Sequence, residues 1–121
     1  MKRDMELVRK ILLAIEEEPT GRAPRELKIE GYTDDEIGHH AYLMAEAGLI
    51  DGARVDGMHS PSRQVHPTVI TWAGHEFLAA SRDESIWKKA MGIVKEKGGA
   101  VTVGVLTQLL TNLVKNNLGL P

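Results

Sequence analysis

Apolar residues recur every three or four positions near the start of the chain, which is the period of an amphipathic helix. This pattern predicts a first helix over residues 4–18, and its apolar residues are Met5, Val8, Leu12 and Ile15. Because proline has no amide hydrogen and biases its predecessor away from the helical conformation, Pro19 and Pro24 should end this helix. The alternating segment Glu-Leu-Lys-Ile at 26–29 predicts a short half-buried strand.

A second helix is marked by Thr33 and Glu36, which have the spacing of a capping box. In that motif the hydroxyl and the carboxylate each bond a backbone amide that the helix start leaves unpaired. The helix is predicted over residues 34–47, and Gly48 is its natural left-handed stop. Its predicted buried stripe consists of Ile37, Ala41 and Met44.

The pattern changes over residues 53–71, where two apolar segments flank Gly57 and a Ser-Pro-Ser turn at 60–62. Two such segments joined by turn residues predict a β-hairpin. Helical spacing then returns and predicts three more helices, over about residues 72–82, 83–97 and 102–116. We expect the large aromatic side chains of Trp72 and Trp87 to pack in the core or between helices.

The composition is that of a folded protein with one domain, because 121 residues with 42% hydrophobic and 26% charged side chains match the globular average. The absence of cysteine excludes disulfides, thiolate zinc sites and cysteine nucleophiles. The chain starts without the apolar core of a signal peptide, and no stretch approaches the ~18 apolar residues of a membrane span. We therefore expect a cytoplasmic protein without membrane contact.

Enzymatic chemistry is not indicated by any motif. The chain has no His-Glu-x-x-His run, no glycine-rich phosphate loop and no Gly-x-Ser-x-Gly elbow. His39 and His40 are adjacent, so on a helix their rings point about 100° apart and cannot easily share a metal ion. We expect no enzyme activity, no cofactor and no metal site.

The order of the predicted elements, together with two sequence phrases, resembles a winged-helix domain. The first phrase, Ala-Gly-Leu-Ile at 47–50, is typical of the end of a recognition helix in that superfamily. The second, Ile-Thr-Trp-Ala-Gly-His-Glu-Phe-Leu at 70–78, is typical of the second wing strand running into a Thr-capped helix. The resemblance implies an α+β, winged helix-turn-helix-like core over residues 1–82, with a C-terminal helical extension over residues 83–121.

A narrower resemblance covers nearly the whole chain. The opening at 1–13, the phrase Ile-Glu-Gly-Tyr at 29–32 and the phrase Arg-Asp-Glu-Ser-Ile-Trp at 82–87 resemble DUF2513, a bacterial and phage family of unknown function. This resemblance implies a fold and a setting, but it transfers no catalytic residue and no ligand.

The first functional hypothesis is binding of double-stranded DNA, with the helix at 34–47 in the recognition position and the hairpin as wing. The charges oppose it: the helix opens Asp34-Asp35-Glu36, contains no lysine or arginine, and the net charge of the chain is −2. The residues that could contact DNA are Arg22, Arg25, Lys28, His39, His40, Tyr42, Arg54 and Arg63.

The alternative hypothesis is a protein-interaction module that has lost DNA binding and forms a homodimer. Its acidic helix would contact a protein through Asp34, Asp35, His39 and Tyr42. Dimerisation would use apolar side chains of the last helix, since these exceed what one small core obviously needs. The predicted dimer residues are Leu106, Leu109, Leu110, Leu113 and Val114. The same stripe could instead pack within one chain, because helical periodicity reports burial and not the partner.

Overall fold

The computed structural model describes all 121 residues, in two compact units, residues 1–75 and 76–121. The first helix, α1, spans Met5–Glu16. Asp4 caps it, because its carboxylate accepts the backbone N–H groups of Glu6 and Leu7. This helix packs against the second helix and the second strand of the same unit, which are described below. Its fully buried apolar residues are Leu7, Ile11, Leu12 and Ile15.

The strand predicted at 26–29 is absent. Only one isolated bridge, between Arg22 and Val69, joins this region to the sheet, supported by a hydrogen bond from the Ala23 N–H to the Thr68 carbonyl. Pro24 follows immediately and has no N–H to donate, which explains why the pairing stops there. The alternating polar and apolar pattern did correctly predict that Leu27 is buried.

Helix α2 spans Asp34–Glu46, and the capping box at its start is confirmed. The Thr33 hydroxyl accepts the N–H of Glu36 at 3.1 Å, and the Glu36 carboxylate accepts the N–H of Thr33 at 2.9 Å. Gly48 ends the helix with φ +80°, a left-handed conformation that glycine adopts without strain. The predicted stripe of Ile37, Ala41 and Met44 is buried.

The predicted hairpin consists of β1 (Ile50–Arg54) and β2 (Val65–Ile70), which pair antiparallel. Ile50 lies opposite Ile70 and Arg54 opposite Val65, with a bulge between Asp51 and Gly52. The hairpin loop, residues 55–64, joins the strands at the end remote from Ile50. Both strands pack on α2, so α2 and the hairpin form one layered arrangement within residues 1–75.

Three helices follow the hairpin: α3 (Trp72–Ser81), α4 (Glu84–Glu96) and α5 (Val103–Asn117). The boundary between the two compact units lies inside α3, between His75 and Glu76. Each of these helices has a side-chain cap at its start, since Thr71, Asp83 and Thr102 each accept a backbone N–H from the first turn.

The two tryptophans have opposite environments. Trp87 is 1% exposed and meets the Phe77 ring edge-on, with centroids 6.4 Å apart, in the second unit. Trp72 is 81% exposed, so the expectation that it packs in the core or between helices was wrong. It is the first residue of α3, directly after the Thr71 cap, where its side chain projects from the end of the hairpin.

The architecture is α+β, with five helices and one two-stranded antiparallel sheet. No helix combines the length and the apolar character that crossing a membrane requires.

Candidate binding surface

Four side chains on the outer side of α2 share one face, because they recur at i, i+4, i+7 and i+11. They are Asp35, His39, Tyr42 and Glu46, and we name them the acidic stripe. The two carboxylate residues at its ends are exposed, whereas the two rings in its centre are half-buried. The rings stack, with centroids 6.1 Å apart and planes inclined by 28°. The stripe therefore presents an aromatic centre between two acidic ends.

The hairpin loop holds the first half of this stripe in place. The Gln64 side-chain amide donates to an Asp35 carboxylate oxygen at 2.9 Å, and the His39 Nδ1–H donates to the Arg63 carbonyl at 3.2 Å. Gly38 makes the approach possible, since a Cβ there would lie 2.8 Å from the Gln64 side-chain oxygen. The loop and α2 thus form a single surface, which we name the α2–hairpin face.

Arg54 joins the other half of the stripe to the hairpin, with its guanidinium 5.8 Å from the centre of the Tyr42 ring. Its Nε and Nη2 both donate to the Asp56 carboxylate at 2.7 Å. This fork, together with the Gln64 backbone N–H at 3.0 Å, holds the pKa of Asp56 well below its ordinary value. The charge of Arg54 is therefore compensated inside the chain.

Lys28 is compensated as well. Its Nζ lies 2.8 Å from Oδ1 of Asp34, and both side chains are exposed. The hydrogen bond to this carboxylate raises the pKa of Lys28. An exposed pair of this kind adds little to stability, but it removes one positive charge from the set proposed for DNA.

The remaining arginines of that set, Arg22, Arg25 and Arg63, are exposed. Arg25 and Lys28 line an open groove of about 250 Å³ beside Asp34 and the start of β2. The groove mixes both signs of charge. Over residues 22–66 the chain carries eight carboxylates and five lysines or arginines, so the region has an acidic excess.

His40 belongs to the core and not to the surface, so its assignment as a DNA contact was wrong. The side chain is 1% exposed, its Nε2 accepts the Asp4 N–H at 2.9 Å and its Nδ1–H donates to the Glu36 carbonyl at 2.8 Å. The hydrogen bond from the Asp4 N–H to His40 ties the start of α1 to α2. The sequence contained the signal, because His40 lies three residues after Ile37 and four before Met44.

The same joint includes Tyr32, whose hydroxyl donates to the second Asp4 oxygen at 3.2 Å. Partial burial, followed by the charge of Asp4, raises the pKa of Tyr32. The carboxylate of Asp4 thus caps α1 with one oxygen and holds the 31–33 turn with the other. These polar groups serve the fold of the first unit.

The predicted dimer residues of α5 divide into two groups. Leu106 and Leu110 are completely buried within the chain, so their assignment to an intermolecular contact was wrong. The reason is that α5 packs against α4 and uses this part of its stripe for that contact. Leu109, Leu113 and Val114 are half-buried.

No cluster of three or more His, Asp or Glu side chains is arranged to hold a metal ion. The ring planes of His39 and His40 are inclined at 86° to each other. Nδ1 of His39 and both ring nitrogens of His40 form hydrogen bonds with backbone groups.

Comparison with known proteins gives one family and one relative. The family described as "Hypothetical protein (DUF2513)" matches residues 2–100. An uncharacterized protein of Haemophilus influenzae is 26% identical over 121 residues, which covers 98% of this chain and 99% of the relative. No solved structure matches.

Proposed function

The chain belongs to the DUF2513 family, and we propose that it is a non-enzymatic, winged-helix-like binding protein whose α2–hairpin face recognises a basic protein surface. The element order supports the winged-helix part of this proposal. Helix α2 stands in the place of a recognition helix, and the hairpin loop stands in the place of the wing. The cysteine-free chain would suit the reducing bacterial cytoplasm.

One observation carries the choice of partner: the α2–hairpin region has an acidic excess, and two of its nearest cations, Lys28 and Arg54, are already paired. DNA presents one phosphate charge per ~1.7 Å, and binding requires lysines or arginines to neutralise it. Here Lys28 is paired with Asp34 and Arg54 with Asp56, while Asp35 and Glu46 remain exposed. Such a surface repels phosphate and complements lysines and arginines on a protein.

The chemistry of the face supports binding over catalysis. Catalytic groups are commonly recognised by shifted pKa values inside a cleft. The low pKa of Asp56 is explained by the Arg54 fork in the hairpin, which stabilises this carboxylate as an anion. Asp56 therefore orders the loop.

The test compares two labelled probes by fluorescence anisotropy, a ten-residue oligolysine and a random DNA duplex, at about 50 and 200 mM salt. We expect the oligolysine to bind at the lower salt and to weaken at the higher. Replacing Asp35 by Asn and Glu46 by Gln should weaken it further, because the exposed charges are removed without changing the side-chain shape. Failure of the oligolysine to bind at the lower salt would reject the proposal.

DNA binding is kept as the second candidate because Arg22, Arg25 and Arg63 are exposed. If they contact phosphate, the duplex will bind at the lower salt, and Arg63→Glu together with Arg54→Glu will abolish that binding. Replacing Asp34 and Asp35 by Lys would then strengthen it. The proposed function instead predicts that replacing both aspartates by Lys weakens the binding of the oligolysine, since both contribute negative charge to the α2–hairpin face.

A further inference from the structure

Gly92 lies in the middle of α4 on an exposed face, where a glycine destabilises the helix without local benefit. Two of the three other glycines in helices are explained by close neighbours. A Cβ at Gly38 would meet Gln64, and a Cβ at Gly74 would meet the Leu49 carbonyl and Ile70. A Cβ at Gly92 would meet nothing within 4 Å, so no part of this chain requires the absence of a side chain there.

A Cβ at Gly104 would also meet nothing within 4 Å. Gly104, however, lies in the first turn of α5, where a glycine destabilises a helix less than it does in the middle. Gly92 is different because lysines flank it on the same face. Lys88 is one turn before it and Lys95 is three residues after it, and both are exposed. We name these three residues the lysine surface. It combines a shallow centre, open to close approach, with a positive end at Lys88 and an end of mixed charge, where the exposed Glu96 lies beside Lys95.

We propose that the lysine surface of one copy docks on the acidic stripe of a second copy of this chain, so that the protein forms a reciprocal homodimer. This inference rests on the proposed function and names the basic protein surface as α4. The supporting argument is charge complementarity. Residues 1–75 carry thirteen acidic and nine basic side chains, whereas residues 76–121 carry four acidic and six basic ones.

The spacings of the two surfaces agree. In an antiparallel crossing with the Tyr42 ring seated on Gly92, Glu46 stands four residues from Tyr42 and Lys88 four residues from Gly92. At 1.5 Å per residue both offsets are about 6 Å, so these two charges face each other. By the same rule Lys95, three residues from Gly92, stands opposite His39, three residues from Tyr42. A side chain at residue 92 would displace the tyrosine ring.

The experiment measures mass and dissociation constant by sedimentation over about 1 to 200 µM, a range that resolves weak contacts. The wild-type chain is expected to dimerise, and Glu46→Lys and Lys88→Glu should each raise the dissociation constant about tenfold or more, because like charges then face each other. Mixed one to one, the two variants should recover the dimer, since the two altered charges oppose each other in one contact and the wild-type pair forms in the other. A mixture no tighter than the single variants overturns the proposal.

Gly92→Gln separates the contact from the fold. Glutamine favours helix over glycine, so the variant chain should melt higher as a monomer, yet its dimer should weaken at least as much as that of Lys88→Glu. A dimer of unchanged affinity, or a wild-type chain that is monomeric throughout the range, overturns the inference. If the oligolysine binds and the chain is monomeric, only this inference fails. If the oligolysine does not bind, the proposed function is rejected, and this inference, which rests on it, is rejected with it.

Discussion

His40 shows how a polar side chain can be a core residue when both of its nitrogens are satisfied. Its bonds to the Asp4 N–H and the Glu36 carbonyl are made by the neutral ring with its proton on Nδ1. In His40→Phe the ring is kept but both partners lose their bonds inside the protein. We expect the free energy of unfolding to fall by about 2 kcal/mol, measured by urea denaturation.

His59→Phe is the matched control, because His59 is exposed in the hairpin loop. Its effect should stay within about 0.5 kcal/mol. Equal losses for the two variants would show that the His40 bonds add nothing specific to stability.

Asp56 gives a prediction about pH. Its pKa in the folded chain is lowered by the Arg54 fork and the Gln64 N–H, so its contribution to stability is present above the unfolded pKa of about 4. The contribution is lost as pH falls from about 5 through the lower folded pKa. Urea midpoints measured at pH 7 and at pH 2.5 should therefore differ less in Asp56→Asn than in the wild type.

The two proteins should also approach each other at pH 2.5, where the carboxylate is protonated in the unfolded wild-type chain, and differ most at pH 7. A variant with the full wild-type pH dependence would mean that Asp56 titrates alike in the folded and unfolded chains.

At the residue scale, helical periodicity correctly predicted the buried stripe of α2, but the prediction considered only apolar residues. His40 occupies the same face as Ile37 and Met44, and the spacing alone was sufficient to place it in the core. Trp72 was missed for the opposite reason, because a large aromatic side chain was assumed to be buried. The ion pairs of Lys28 and Arg54 could not be predicted, since they depend on how the hairpin and the 25–28 segment fold back.

At the scale of elements, caps and breakers predicted the helices well. The caps at Thr33, Asp83 and Thr102 each begin a helix as expected, because a side-chain oxygen next to an apolar stripe has few other uses there. The strand at 26–29 failed because pairing depends on a neighbour, and alternation reports only which side chains are buried. The region meets the sheet at Arg22 and Val69 and then departs from it.

Two glycines in helices should respond oppositely to alanine. In Gly74→Ala the new methyl group would press on the Leu49 carbonyl and lie 2.6 Å from Ile70 Cγ2, so we expect a loss of about 1–3 kcal/mol. In Gly92→Ala the methyl group would meet nothing within the chain, and the helix should gain about 1 kcal/mol. Thermal unfolding of dilute, monomeric protein measures both. Two changes of the same sign would contradict the packing at Gly74.

At the scale of the whole molecule, charge is unevenly distributed along the chain. The net formal charge of −2 hides an acidic first unit and a basic second one. Composition alone therefore gave no partner, and the resemblance to winged-helix domains favoured DNA. The ion pairs in the structure favour a basic protein surface over DNA, because pairing of Lys28 and Arg54 leaves Asp35 and Glu46 as the exposed charges along the outer side of α2.

This uneven charge raises the question of whether a local contact or the overall field drives self-association. Glu17→Lys and Glu46→Lys change the net charge equally and both lie in the first unit, but Glu17 is the C-cap of α1 and is outside the acidic stripe. A lysine at a helix C-terminus is favourable, so Glu17→Lys should fold at least as well as the wild type. At about 0.15 M salt the Debye length is about 8 Å, and distant charges are screened. We therefore expect Glu46→Lys to weaken the dimer about tenfold or more and Glu17→Lys to change it less than about twofold, by sedimentation in that buffer. Equal weakening by the two variants would mean that net charge drives association and that the acidic stripe is not the docking site.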